Sequence, residues 1–327
     1  MRTGLVIGLA LFAAIPAGAD EPKTLKLEKT IPLEGVVGRY DHMALDAKGG
    51  RLFVANLSSD SLDVIDLKAG KLVKQVGGQK KIQGVAYAPD LDRVFVGNGA
   101  DGECRAFDGT TFKLLGAVKL PDADNVRYHP AKGLVYVVHA EASLTALDAK
   151  TLAVKATVQL PGPPEGLQID FARNRLFVNC LKPGQVAVVN LDKNEVAAKY
   201  PLTRAEANYP LAFDADGKRV FVGCRKPPKV VVLDADSGKE LSDADNPGDI
   251  DDLFFDPKRK RLYASCGEGT LAVLEEGAKG FAVVEKIPTS KLARTCLFDA
   301  ASGRLFVVLP WTDEKTPPEL RVYRATD

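Results

Sequence analysis

The sequence has almost no net charge, because 44 lysines and arginines stand against 43 aspartates and glutamates in 327 residues. General binding of nucleic acid or anionic lipid needs an excess of cations, so this class of function is excluded. After residue 20 the sequence also has no apolar run of the roughly 18 residues that a membrane-spanning helix requires. We therefore expect neither nucleic-acid binding nor membrane insertion.

Several motifs of catalytic chemistry are also missing. The sequence contains no Gly-x-Ser-x-Gly elbow, no glycine-rich phosphate loop and no His-Glu-x-x-His pair. A Cys-x-x-Cys-His segment, which attaches c-type haem, is absent as well. Nucleophilic catalysis and covalent haem binding therefore find no support in the motifs.

The first 19 residues have the three parts of a secretory signal peptide. Arg2 precedes the apolar run 5–15, and Ala17-Gly18-Ala19 supplies small residues before Asp20. No cysteine follows the run, which favours a soluble exported protein over a lipoprotein. We predict cleavage after Ala19, a single domain over residues 20–327, and a periplasmic or secreted location.

One β-type phrase recurs seven times along the rest of the chain. It begins at Arg51, Arg93, Leu134, Arg175, Arg219, Arg261 and Arg304, at spacings of 41 to 44 residues. Further β-type runs precede and follow each copy, so a full repeat holds four short strands, a to d, separated by turn residues. A four-stranded repeat of about 42 residues is typical of a propeller blade.

The last repeat ends at Asp327 without a strand d. Residues 25–32 read like residues 281–288 of the sixth repeat, so the N-terminal segment can supply the missing strand. We therefore predict an all-β, seven-bladed β-propeller whose last blade combines residues 24–34 with residues 293–325. Such closure removes exposed sheet edges.

The phrases Arg51-Leu-Phe-Val-Ala-Asn56 and Val64-Ile-Asp66 resemble the YVTN-repeat (YncE-like) β-propellers, which are mostly secreted bacterial proteins. The resemblance covers nearly all of residues 24–327 and implies the propeller fold. It implies no particular activity, because the family as a whole has no single established one. The phrase departs from the family pattern where its final Asn, kept as Asn56 and Asn98, becomes His, Cys or Leu.

The five cysteines are an odd number, so at least one stays unpaired. Cys180, Cys224 and Cys266 end the phrase in three successive repeats. On neighbouring blades their Cα atoms would be roughly 9 Å apart, beyond the limit of about 7 Å for a disulfide. We expect buried thiols, with a bridge or a metal role as the alternative.

In a propeller strand a is innermost, so its first residues should surround the mouth of the central channel. The position four residues before the apolar anchor of each strand a holds Asp41, Gln83, Asp124, Glu165, Tyr209, Asp251 and Arg294. The next position holds His42, Gly84, Asn125, Gly166, Pro210, Asp252 and Thr295. Packing alone would not require such varied chemistry, so we predict a site for an ion, a small polar ligand or a partner protein. A water-filled channel is the alternative.

A divalent cation, Ca²⁺ or Mg²⁺, is the ion that the acids of this ring would bind. The candidate ligands are Asp41, Asp124, Glu165 and Asp251. Crowding of these acids would raise their pKa values. His42 is the one candidate general base or metal ligand, and a set of His42, His139 and Asp124 is a further alternative. His129 should lie in solvent on the opposite face.

A lengthened loop between strands b and c of the seventh repeat carries the only tryptophan, Trp311. Loops of this type share the face of the channel mouth, so Trp311 is a candidate wall of a ligand or partner site. An ordinary packed loop explains it equally well. Arg225, at the end of strand b of repeat five, begins a basic run on the same face that is too short to indicate nucleic-acid binding.

These observations favour an exported, non-enzymatic binding or scaffold module that requires no cofactor and is compatible with a monomer. A metal-dependent hydrolase or lyase, in which His42 moves protons, is the first alternative, by analogy with lactonase-like and streptogramin-lyase-like propellers. A subunit of a periplasmic redox complex, with the cofactor on another chain, is the second.

Overall fold

The computed structural model describes residues 23–35, 38–140, 142–312 and 316–327. The signal-peptide prediction falls on residues 1–19, outside this described part. Within it the regular structure consists of 28 strands and two short 3₁₀ turns, Leu57–Ser59 and Pro130–Lys132. No helix among the described residues has the length and apolarity that crossing a bilayer would require.

The strands form seven four-stranded antiparallel sheets, one for each repeat. Blade 1 contains β2 (Met43–Asp46), β3 (Arg51–Asn56), β4 (Ser61–Asp66) and β5 (Lys71–Gly77). Blade 2 contains β6 (Ile82–Ala88), β7 (Arg93–Asn98), β8 (Glu103–Asp108) and β9 (Leu114–Lys119). Blade 3 contains β10 (Val126–His129), β11 (Leu134–His139), β12 (Ser143–Asp148) and β13 (Val154–Gln159).

The next three blades repeat the same order from the inner strand a to the outer strand d. Blade 4 contains β14 (Pro164–Asp170), β15 (Arg175–Cys180), β16 (Gln185–Asn190) and β17 (Glu195–Pro201). Blade 5 contains β18 (Glu206–Asp214), β19 (Arg219–Lys226), β20 (Pro228–Asp234) and β21 (Glu240–Asp245). Blade 6 contains β22 (Ile250–Asp256), β23 (Arg261–Cys266), β24 (Thr270–Gly277) and β25 (Gly280–Pro288).

Blade 7 is built from both ends of the chain. It contains β26 (Cys296–Asp299), β27 (Arg304–Leu309), β28 (Glu319–Ala325) and, as strand d, β1 (Leu25–Pro32). β1 pairs antiparallel with β28, from Leu25 opposite Ala325 to Pro32 opposite Glu319. The predicted seven-bladed propeller, closed by the N-terminal strand, is confirmed.

The repeated phrase forms strand b, which is buried because it lies inside its blade and between neighbouring blades. Its third residue is always aromatic and almost fully buried: Phe53, Phe95, Tyr136, Phe177, Phe221, Tyr263 and Phe306. In blades 1, 4 and 5 the leading arginine lies over this ring, with the Arg175 guanidinium 5.0 Å from the Phe177 ring centre. Its Nε also lies 3.0 Å from Asp170 at the end of strand a. The phrase thus encodes core packing rather than a ligand site.

The acids that end the c strands cap the following turns. Ala69 N–H donates to Asp66 Oδ1 at 2.7 Å, and Thr151 N–H donates to Asp148 Oδ1 at 2.9 Å. Such contacts fix the turn between strands c and d. These acids therefore have a structural role.

All five cysteines are buried and unpaired. Burial raises the pKa of Cys104 to about 12, so its thiol stays protonated. The expectation of buried thiols is confirmed.

The expectation that His129 lies in solvent is wrong, because its side chain is only 4% exposed. Its Nδ1 accepts a hydrogen bond from the Lys132 backbone N–H at 3.4 Å, which caps the turn that begins at Pro130. The Phe171 ring packs against it edge-on, with ring centres 5.0 Å apart. Burial lowers the pKa of His129.

Candidate functional site

The channel mouth is formed where the a strands begin, and strand pairing is irregular there. In blades 2, 4, 5 and 6 the register with strand b shifts between Ile82 and Val85, Pro164 and Leu167, Asn208 and Leu211, and Ile250 and Asp252. Bulges of this kind re-aim side chains and are common next to binding sites. As a result, residues from both predicted positions of the repeat face the channel.

A cavity that is open to solvent lies at this mouth. Six of the ten predicted ligand-binding residues line it: His42, Asn125, Glu165, Tyr209, Asp251 and Asp252. Arg127 and Gln168, which the sequence analysis missed, line it as well. They stand one residue before the apolar anchors of their a strands, so they lie deeper in the channel than Glu165.

His42 is held between two carboxylates. Its Nδ1 lies 3.2 Å from Asp252 Oδ1, and its Nε2 lies 3.7 Å from Asp41 Oδ1. Asp252 Oδ2 also accepts the Cys296 backbone N–H at 3.0 Å. Burial by itself would lower the pKa of His42, but the charges of Asp252 and Asp41 outweigh it and raise this pKa to about 10. At neutral pH His42 is therefore a fixed cation and a poor general base.

Two arginines neutralise Asp251. Arg225 Nη2 lies 2.5 Å from Asp251 Oδ1, and Arg294 Nε lies 2.9 Å from Asp251 Oδ2. Both arginines also contact Asp249, and the Arg225 guanidinium stacks 3.6 Å from the centre of the Tyr209 ring. Burial raises the pKa of Asp251 to about 6 against the opposing effect of Arg294. This network links blades 5, 6 and 7 at one wall of the cavity.

Glu165 and Asp124 have no such compensation. In the described part of the chain neither carboxylate has a basic side chain within 4.0 Å. Burial, together with repulsion from Asp124 and Asp251, raises the pKa of Glu165 to about 8. Burial and the charge of Asp41 raise the pKa of Asp124 to about 7. The predicted rise in pKa therefore occurs at Asp124, Glu165 and Asp251, and it is larger at the two carboxylates that have no ion-pair partner.

Two further polar groups have unused hydrogen-bonding capacity. Asn125 is only 3% exposed, and among the described residues its Oδ1 has no hydrogen-bond partner. Its Nδ2 makes one long contact of 3.4 Å with Asp124. Arg127 Nη1 donates to the Val126 carbonyl at 2.9 Å, and no carboxylate of the described chain forms an ion pair with Arg127. Buried polar groups normally find partners, so the mouth has capacity left for a ligand.

Part of the variation at the second predicted position comes from packing between blades. A Cβ atom on Gly84 would lie 2.0 Å from the Asp124 carbonyl oxygen, and one on Gly166 would lie 2.6 Å from the Tyr209 carbonyl oxygen. Only glycine fits where the next blade comes this close. At these places the sequence variety reflects the approach of the neighbouring blade rather than ligand chemistry.

The other predicted residues lie around the cavity rather than in its wall. Asp41 forms an ion pair with Arg39 at 2.6 Å, and Arg294 forms an ion pair with Asp251 without lining the cavity itself. The Trp311 carbonyl accepts the Gly38 N–H at 2.8 Å, which fixes its loop beside the segment entering blade 1. Residues 313–315 of that loop lie outside the described part, and Trp311 does not line the cavity.

The predicted metal ligands are not gathered into one coordination set. Among the described residues no group of three or more His, Cys, Asp or Glu side chains is placed to hold a metal ion. His139 Nε2 instead lies 2.9 Å from the Thr145 hydroxyl in its own blade. Binding of Ca²⁺ or Mg²⁺ by the acids of the mouth stays a prediction.

Comparison with known proteins identifies the fold and no family. No family model matches the chain, and no curated protein sequence matches it. A solved chain of hydrazine synthase from Kuenenia stuttgartiensis superposes with a TM-score of 0.77 at 14% identity, covering 90% of this chain and 97% of that one. At this identity the likeness shows the propeller fold alone. Membership of the YVTN-repeat family stays a prediction.

Proposed function

We propose that this protein is an exported binding module whose ligand, a small polar molecule or a charged group of a partner protein, enters the channel mouth. The proposal rests mainly on Asn125, whose carboxamide oxygen is buried at the cavity and has no hydrogen-bond partner among the described residues. Leaving such an acceptor unsatisfied costs about 1–3 kcal/mol. A ligand that donates a hydrogen bond to this oxygen recovers that free energy.

The surrounding ion pairs support a preformed site. His42 with Asp252, and Arg225 and Arg294 with Asp251, join blades 1, 5, 6 and 7 around the channel. These contacts hold the cavity wall in one geometry before any ligand enters. A preformed cavity binds more tightly because less conformational freedom is lost on binding.

The metal-dependent hydrolase or lyase has weaker support. Two of the four acids that it would use are already paired with cations: Asp41 with Arg39, and Asp251 with Arg225 and Arg294. His42 is cationic at neutral pH, so it does not accept the proton that a general base must take. A binding module requires neither a set of unpaired acids to hold a metal ion nor a neutral imidazole to act as a base.

A thermal-shift screen of small polar molecules and divalent ions against the mature chain, residues 20–327, tests the proposal. The proposal predicts polar organic compounds that raise the melting temperature of the wild type and fail to raise that of Asn125→Leu. Glu195→Gln, on the exposed outer strand of blade 4, is the control and should respond as the wild type does. Ligands that stabilise the wild type and Asn125→Leu equally would place binding elsewhere. Stabilisation by Ca²⁺ or Mg²⁺ alone would favour the metal hypothesis.

A further inference from the structure

The cavity contains one basic and one acidic side chain that have no ion-pair partner. Arg127 forms no ion pair in the described part of the chain, and neither does Glu165 on the adjacent blade. The other charged side chains of the wall, His42, Asp251 and Asp252, are matched with opposite charges. Charging a partly buried group that has no partner is costly, so a ligand that brings an anion to Arg127 and a cation to Glu165 would stabilise the charged form of both.

The two charges stand at different depths. Arg127 occupies the position directly before the anchor of its strand, at the level of Gln168 and Phe254, whereas Glu165 stands four residues before its anchor. Three residues of extended chain correspond to about 10 Å, and the irregular pairing at Glu165 shortens this separation. The cation therefore lies deeper than the anion, and the ligand must carry its two charges at opposite ends.

We infer that the ligand of the channel mouth is a small linear zwitterion whose carboxylate is bound by Arg127 and whose primary ammonium group is bound by Glu165. This inference rests on the proposed function and specifies its ligand class. The guanidinium offers a pair of parallel donors that match a carboxylate. The Asn125 oxygen accepts a further hydrogen bond from the ammonium group.

The remaining wall of the cavity agrees with such a ligand. Leu211, Leu253 and Phe254 supply apolar surface between the polar groups. A short methylene chain between the two charges would contact these side chains.

Calorimetric titration with linear amino acids of increasing length, from glycine through β-alanine and γ-aminobutyrate to 5-aminopentanoate, tests the inference. Butylamine and butyrate serve as probes with a single charge, and CaCl₂ tests cation binding. The inference predicts one preferred chain length, with both single-charge probes at least about tenfold weaker. It is overturned if butylamine binds as well as the preferred amino acid, or if no amino acid binds.

Charge variants then assign each end of the ligand. Arg127→Gln should weaken amino-acid binding by about tenfold or more and leave the affinity for butylamine unchanged. Glu165→Gln should weaken amino-acid binding by the same factor and leave the affinity for butyrate unchanged. Arg304→Gln and Glu195→Gln, at exposed positions, are the matched controls. If Arg127→Gln does not fold, Arg127→Lys takes its place. This variant keeps the positive charge and should retain part of the amino-acid binding.

The same measurements separate failure of this inference from failure of the proposed function. If Asn125→Leu weakens the binding of polar compounds but Arg127→Gln and Glu165→Gln do not, the binding site at the mouth is supported and the zwitterion inference is overturned. Amino-acid binding that none of the three variants reduces would overturn both.

Discussion

His42 in blade 1 and Asp252 in blade 6 meet at the channel mouth, with Nδ1 of the imidazole 3.2 Å from Oδ1 of the carboxylate. The two residues are 210 positions apart, and blade 7, which contains the closing N-terminal strand, lies between their blades. The pair therefore bridges the place where the two ends of the chain come together. This contact couples the binding site to the closure of the ring.

Replacing His42 with Gln should destabilise the protein in a pH-dependent manner. The folded-state pKa of about 10 is above the ordinary value of 6.5, so the imidazolium stabilises the fold fully below pH 6.5 and progressively less as the pH rises to 10. We expect a loss of about 3 kcal/mol at pH 6 in urea unfolding, and a much smaller loss near pH 10. A loss that does not change with pH would contradict the ion pair.

Replacing Glu165 with Gln should stabilise the protein at alkaline pH. The pKa of this carboxyl is raised to about 8, so its charged form opposes folding as the pH rises from its ordinary pKa of 4.5 to about 8. The groups around it are Asp124, Asp251, Arg225 and His42. We expect a gain of about 2 kcal/mol at pH 9 and little change at pH 4, measured against Glu195→Gln as the control. Equal effects at both pH values would show that Glu165 ionises normally.

The Asp251 network should show strong coupling in a double-mutant cycle. Arg294→Met leaves Asp251 with less compensation, whereas the further change Asp251→Asn removes the charge that Arg294 had neutralised. We expect the double variant to be more stable than the sum of the two single changes predicts, by about 2 kcal/mol. Additive losses of unfolding free energy would indicate that the two side chains do not interact.

The closing strand should contribute stability through its inward-facing residues. Leu25 and Ile31 are fully buried, whereas Leu27 on the same strand is 40% exposed. Leu25→Ala and Ile31→Ala should each lower the free energy of unfolding by about 2–5 kcal/mol, and Leu27→Ala by less than about 1 kcal/mol. Similar small losses for all three variants would mean that the N-terminal strand is not docked in blade 7.

The fold could be predicted from the sequence because its information is local and repeated. The phrase beginning at Arg51 returns in every blade as the same short apolar run, and its spacing matches four strands. The missing final strand and the similar segment at residues 25–32 then determine how the ring closes. Each of these features can be read without knowing any contact between distant residues.

The site was only partly predictable because it depends on contacts between blades. Counting back from the apolar anchors found Glu165 and Asp252, but the same pattern could not show that Asp252 would meet His42. Arg127 was missed because it lies inside a regular strand, three residues beyond Asp124. His129 was misplaced because the turn that buries it has no distinctive sequence apart from Pro130.

The most direct test uses the fact that the sequence has only three histidines. In protein labelled at the histidine rings, NMR gives separate imidazole signals for His42 beside the cavity, for His129 at the end of β10, and for His139 in blade 3. Binding at the channel mouth should shift the His42 signal during titration with a ligand from the thermal-shift screen and leave the His129 signal in place. A ligand that binds without moving the His42 signal would contradict a site at the channel mouth.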